Sequence, residues 1–148
     1  MKAPFLIGRL IFGGFFLYNG INHIRQAETL AKYSESKNVP LPRLAVTASG
    51  ITLIIGGTSI LLGVKPKIGA AAILGFLAAV SPVMHDFWRQ ESPEQRMNEM
   101  INFTKNLALA GGALALMAVE EPWPVSVPVA QPSKLQQLRK IGRRAIAA

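Results

Sequence analysis

Apolar residues in this chain fall into four blocks, at about 5–21, 44–64, 68–84 and 107–119, and the stretches between them hold most of the charge. A hydrocarbon layer about 30 Å thick is crossed by roughly 20 helical residues. The second block meets that length alone. The third meets it when Phe87 and Trp88 are added, and the fourth when it starts near Ile101 with Lys105 reaching to the interface. The pattern therefore predicts an all-α fold, an integral membrane four-helix bundle with spans at about 5–21, 44–64, 68–88 and 101–119. A soluble domain of this size has no place for four such helices with glycine-rich interiors.

The punctuation between blocks refines this. Gly63-Val64-Lys65-Pro66 is a turn signal, because glycine tolerates positive φ and proline does not continue a helix, so blocks two and three form an antiparallel hairpin. Val39-Pro40-Leu41-Pro42 is expected to be extended, and Ser92-Pro93 to open a helix that runs over 93–119 and enters the bilayer near Lys105. Two rows of small residues, Ala71, Gly75 and Ala79 in block three and Ala108, Gly112 and Ala115 in block four, are candidates for close helix contacts. The prolines of 121–132 predict an extended connector. Beyond it Ser133 caps a short amphipathic helix, with Leu135, Leu138, Ile141 and Ile146 opposite Lys140, Arg143 and Arg144. The expected organisation is a membrane domain at 1–121 and a connector with a basic amphipathic tail at 122–148.

Charge adds an orientation. The 148 residues carry 16 Lys and Arg against 8 Asp and Glu, a formal net charge of +8. If all four blocks span, Lys2, Arg9, Lys65, Lys67 and the tail bases share one side, while all the acids at positions 28–99 lie on the other and leave it almost neutral. Both termini are accordingly expected in the cytoplasm. The basic residues are scattered as membrane flanks without a recognition motif, so lipid and not nucleic acid is the expected partner of this charge. There is no cysteine, which excludes disulfides, thiolate metal sites and a redox dithiol within the chain.

The densest chemistry is His85-Asp86-Phe87-Trp88 at the outer end of block three. Neighbours on a helix point about 100° apart, so His85 and Asp86 would seek partners on other helices. Asn19, Asn22, His23 and Arg25 close the first block and Asn102, Lys105 and Asn106 open the fourth, all on that side. The expected outer cluster pairs Asp86 with Lys105 or Arg25. It reads either as a lock joining the spans or as a small water-accessible cavity holding two groups that titrate near neutrality. Two adjacent positions cannot easily converge on one ion, so no metal site is expected, and no nucleophile-base arrangement names a catalytic residue. Arg9 stands inside an otherwise apolar span, on one stripe with Gly13, Phe16, Gly20 and His23. It either snorkels to the cytoplasmic surface or looks into the bundle, where carbonyls or the hydroxyls of Thr47, Ser49, Thr52, Thr58 or Ser59, or an anionic lipid head, would serve it.

Gly8-Arg9-Leu10 through Gly13, Tyr18-Asn19-Gly20-Ile21-Asn22-His23, Gly56-Gly57 with Gly63, His85-Asp86-Phe87-Trp88, and Phe103-Thr104-Lys105-Asn106-Leu107 leading to Gly111-Gly112 together resemble the DoxX family of small bacterial membrane proteins. The resemblance covers residues 5 to about 119 and leaves the tail outside. It implies a multi-pass protein of the bacterial inner membrane, related to the small subunit of a thiosulfate:quinone oxidoreductase. Its matching positions are Arg9, Gly13, Gly20, His23, His85, Asp86, Phe87, Trp88, Lys105 and Asn106. Many relatives carry an acid in the second span where this chain has Thr52 or a neighbour, so a cation-coupled role does not carry over. The function implied is a non-catalytic subunit or scaffold of a membrane-associated oxidoreductase system, with oxidoreductase subunits, or a second copy of the chain, as partners. The alternatives are a protein that binds quinone or another small molecule, quinone being the one cofactor suggested, and a small transporter.

Overall fold

Proline opens three helices of this chain, Pro42, Pro66 and Pro93 each lying in a first turn, where its missing N–H has no helical acceptor to lose and its fixed φ suits the helix. The computed structural model describes residues 2–128. Within them the helices are α1 (Lys2–Arg25), α2 (Ala27–Ser36), α3 (Pro42–Leu62), α4 (Pro66–Met84) and α5 (Pro93–Met117), with one 3-10 turn at Phe87–Arg89 between the last two. Three segments, Ala3–Arg25, Pro42–Leu62 and Pro66–Arg89, are long and apolar enough to cross a membrane. Helix α5 has 25 residues, but charges fill its first half and only its second half is continuously apolar. It is the single helix expected over that stretch.

The α3/α4 hairpin turns as its sequence predicts. Gly63 takes φ 67° and Lys65 φ 47°, and the Ser59 hydroxyl donates to the carbonyls of Val64 (2.7 Å) and Lys65 (3.1 Å). These bonds satisfy carbonyls that a tight turn would otherwise leave bare. At the other end, Pro82 sits inside the last turn of α4 and the helix stops at Met84. His85 becomes its cap and Asp86 lies beyond it, so the two are no longer held at helical angles.

Helices α1 and α3 run antiparallel in the tightest contact of the fold. A Cβ on Gly57 would lie 2.7 Å from the Gly13 carbonyl oxygen, and one on Gly20 2.7 Å from that of Gly50. Both pairs are seven residues apart, two helical turns, so one face of each helix brings backbone against backbone twice. Gly56 gives α4 the same access, its Cβ position being 3.0 Å from the Gly69 carbonyl. The core between these helices is built from Phe16, Leu53, Ile60, Ile73 and Leu77.

Three expectations differ from this structure. Val39-Pro40-Leu41-Pro42, expected to be extended, has Leu41 at φ 48° in the left-handed region and Pro42 already in the first turn of α3, and ahead of it the outer segment folds as the ten-residue α2, an element the sequence reading did not place, with Ala31 and Ser34 buried. The small-residue rows mostly do not face neighbours: Ala71 and Ala79 are exposed, Gly75 has open space around it, and of the second row only Gly112 meets another helix, at the Phe12 ring. Close packing went to the glycines with flat backbone opposite them. The boundary drawn at 121/122 also falls within packed structure, because Trp123 is 2% exposed and sets its ring edge-on to Phe5 at 5.2 Å. The amphipathic helix expected after Ser133 lies outside the described residues.

Candidate functional site

Where α2, α4 and α5 approach one another, six polar side chains meet. The Lys37 ammonium, just past α2, lies 2.8 Å from Asp86 Oδ1 and 3.7 Å from Glu99 Oε1. His85 Nδ1 lies 2.8 Å from Glu99 Oε2, Gln90 Nε2 donates to Asp86 Oδ1 at 2.9 Å, and the Tyr33 hydroxyl reaches Glu99 at 3.5 Å. The three charged side chains are 14% to 17% exposed, so they are largely withdrawn from water yet fully paired. Burial pulls the Lys37 ammonium down, but the hydrogen bond from it to Asp86 and the nearby negative charges outweigh that and hold it above its ordinary value. Burial pushes the Tyr33 phenol up, and Glu99 adds to the shift.

Tyr33 belongs to a second feature. Beside the network lies a partly open cavity of about 250 Å³ between the ends of α1, α3 and α4 and the inner face of α2. Helix α2 contributes Leu30, Tyr33 and Ser34, and α4 contributes Phe76, Val80 and Met84. Its walls are almost wholly apolar, with His23 as the imidazole that α1 adds. A Cβ at Gly50 would lie 2.9 Å from His23 Cβ, so the glycine contact of α1 with α3 is what seats this histidine. Phe76 meets the His23 ring edge-on at 6.1 Å.

At the opposite end of the bundle Arg9 is 2% exposed. Its Nη1 donates to the Pro124 carbonyl (2.7 Å) and its Nη2 to those of Leu61 (3.0 Å) and Val125 (2.9 Å). The Leu61 carbonyl belongs to the last turn of α3, where acceptors lack helical donors and the helix dipole favours a cation. The Val127 N–H donates to Leu62 at 2.9 Å. Residues 123–127 thus form a strap that closes this end. Arg9 looks inward, as one sequence reading has it, and of the partners that reading offered it takes carbonyls, those of Leu61 in α3 and of the strap. Thr47, Ser49 and Thr52 hydrogen-bond within their own helix, and Ser59 serves the turn.

The expected outer cluster is only partly assembled. His85 and Asp86 take part, but Asp86 pairs with neither Lys105 nor Arg25: Lys105 donates to Asn102 on its own helix at 2.9 Å, and Arg25 is exposed. Helix α2 places Lys37 in their stead. Asn19 and Asn22 are occupied locally, the former donating to the Phe15 carbonyl and the latter accepting from Gln26. Trp88 forms an aromatic group with Phe87 and Phe103, its centroid 5.0 and 5.8 Å from theirs, and with Phe103 and Asn106 it lines a separate hollow between α4 and α5. Sequence reasoning missed Tyr33, Lys37, Gln90 and Glu99. The signal for α2 was present: Ala27, Leu30, Ala31 and Ser34 follow a helical i, i+3, i+4, i+7 spacing. Among the described residues no group of three His, Asp or Glu is placed to hold a metal ion.

Comparison with known proteins agrees with this architecture. The chain is similar to the inner membrane protein YphA of Escherichia coli (strain K12), 25% identical over 122 residues that cover 82% of this chain and 86% of that protein. No solved structure matches it. The DoxX family profile matches residues 5–86, from the first turns of α1 to Asp86 of the ion network and so across every wall of the cavity, and with its apolar helices the chain is an integral membrane protein belonging to the DoxX family.

Proposed function

We propose that this DoxX protein is a membrane subunit that holds a quinone-type ring for an oxidoreductase partner. The observation that carries this is the cavity of about 250 Å³, with apolar walls, one imidazole, and a wall from α2 whose Tyr33 also reaches the ion network. Benzene fills an apolar cavity of about 150 Å³, so this one has the size for a substituted one- or two-ring head group. Lacking cysteine, the chain has no dithiol to carry electrons, and redox chemistry would reside in the bound ring or the partner. We place the protein in the bacterial inner membrane with α5 as a fourth crossing and both termini in the cytoplasm. That arrangement puts the strap and Lys65 inside and the cavity near the outer surface.

Purification from membranes in mild detergent, followed by solvent extraction and identification of co-purifying subunits, tests the reading. Quinone retained in near-stoichiometric amount and lost on Phe76→Ala or Ser49→Trp substitution is the expected result. Lipid alone in the extract, with no redox subunit in the eluate, would overturn it. A reporter active only in the cytoplasm should be active when fused after Pro128 and silent when inserted near Lys37.

A further inference from the structure

We infer that His23 is a specificity-determining acceptor that makes the cavity select the hydroxyl-bearing, reduced form of an aromatic ring, a quinol or phenol, over the corresponding quinone or ether. The inference rests on the cavity reading above. His23 Nδ1 lies 2.8 Å from the backbone carbonyl oxygen of Asn19, one turn back on α1. A carbonyl oxygen only accepts, so Nδ1 carries the proton of this bond. In the neutral imidazole the other nitrogen, Nε2, is then an unprotonated acceptor, and it has no hydrogen-bond partner among the described residues although His23 lines the cavity. Of the hydroxyls around it, that of Ser49 is engaged with the Val46 carbonyl, that of Tyr33 points to Glu99, and that of Ser34, on the α2 wall, has no side-chain hydrogen bond among the described residues. The vacant lone pair of Nε2 favours a ring that brings it a donor. A ring offering only carbonyl or ether oxygens gains no bond at His23 and sets lone pair against lone pair there.

The imidazole cannot readily turn to oppose this. Its Cβ is held against Gly50, its ring edge-on to Phe76 and its Nδ1 on the helix backbone. Those three contacts fix both the tautomer and the direction of the acceptor, as outer partners fix the ligating nitrogen of a histidine elsewhere.

The test compares three probes of one shape, 2-methyl-1-naphthol, its methyl ether and 2-methyl-1,4-naphthoquinone, by equilibrium dialysis against the full chain in lipid nanodiscs, with empty discs as the partition control. Naphthol should bind about three- to tenfold more tightly than the ether or the quinone, the worth of one net hydrogen bond. His23→Phe should erase that preference while keeping ether affinity, and His23→Gln, whose side-chain carbonyl can still accept, should retain part of it. The nitrogen resonance of His23 Nε2 should move on adding naphthol and not on adding the ether. Equal binding of the three probes to the unmodified protein, or an unaltered preference in His23→Phe, would overturn the role of His23 and leave the cavity reading standing. Failure of every probe to bind above the empty-disc control would overturn both.

Discussion

Replacing Asp86 by asparagine tests which cation faces it. The Lys37 ammonium sits 2.8 Å from Asp86 and 3.7 Å from Glu99, so removing one carboxylate leaves it a second. Asparagine also keeps an oxygen for Gln90. Exposed ion pairs contribute about 0.2–1 kcal/mol and breaking a dry pair costs about 3–5 kcal/mol. With side chains near 15% exposed, Asp86→Asn should cost about 1–2 kcal/mol. Lys37→Met should cost more, about 2–3 kcal/mol, because Asp86 and Glu99 then face each other without a cation between them. Combined, the two changes should lose less than the sum of the singles by about 1–2 kcal/mol. The assay is reversible unfolding in mixed detergent micelles, followed by circular dichroism at fixed micelle composition. Asp86→Asn with Lys105→Met is the control and should be additive, since Lys105 bonds Asn102. Additivity of the Lys37 cycle within about 0.5 kcal/mol, or coupling in the Lys105 cycle in its place, would mean that α2 does not bring Lys37 to this position.

The glycine contacts give a sharper contrast. Gly57→Leu drives side-chain atoms into the α1 backbone, which lies 2.6 Å from the Cβ position at Leu17 N, and should cost about 3 kcal/mol or more. Gly75→Leu meets open space and should stay within about 0.5 kcal/mol of the parent; comparable losses in the same unfolding assay would refute the assignment of faces. Trp123→Ala removes a ring that is 2% exposed, should cost about 3–5 kcal/mol, and should open the strap to proteolysis between 118 and 128; an unchanged cleavage rate would show that the strap is held by other means. Lys37 and Tyr33 both have raised native pKa values. The stability they add is fully present below their unfolded values of about 10 to 10.4, and is lost as pH rises through the native ones. Melts from pH 7 to 11 should therefore fall only at the alkaline end, and less steeply in Lys37→Met; equal slopes for the two proteins would remove Lys37 from the ion network.

The apolar helices were legible because membrane spans announce themselves by length and composition alone, and several of their breaks are marked locally: Pro42, Pro66 and Pro93 at starts, Gly63 at a stop. What was not legible depends on which helix lies beside which. Lys37 was one of several bases on its side, and its link to Asp86 joins residues 49 apart through a short helix that lies outside the four apolar blocks. Arg9 presents the opposite difficulty, since its partners are backbone carbonyls, which every residue possesses and no side chain advertises. The glycines were visible but ambiguous. A row of small residues three or four positions apart marks a helix face that could allow close approach, whereas Gly13 with Gly20 and Gly50 with Gly57 place matching gaps on two antiparallel helices, so that each backbone closes on the other at both ends of the contact. That pairing reaches past helix packing to the site. Because Gly50 lets α1 lie this near, His23 is set at the end of the interface with its Nδ1 turned back to its own helix, and the spacing of four glycines decides where the one imidazole of the cavity stands.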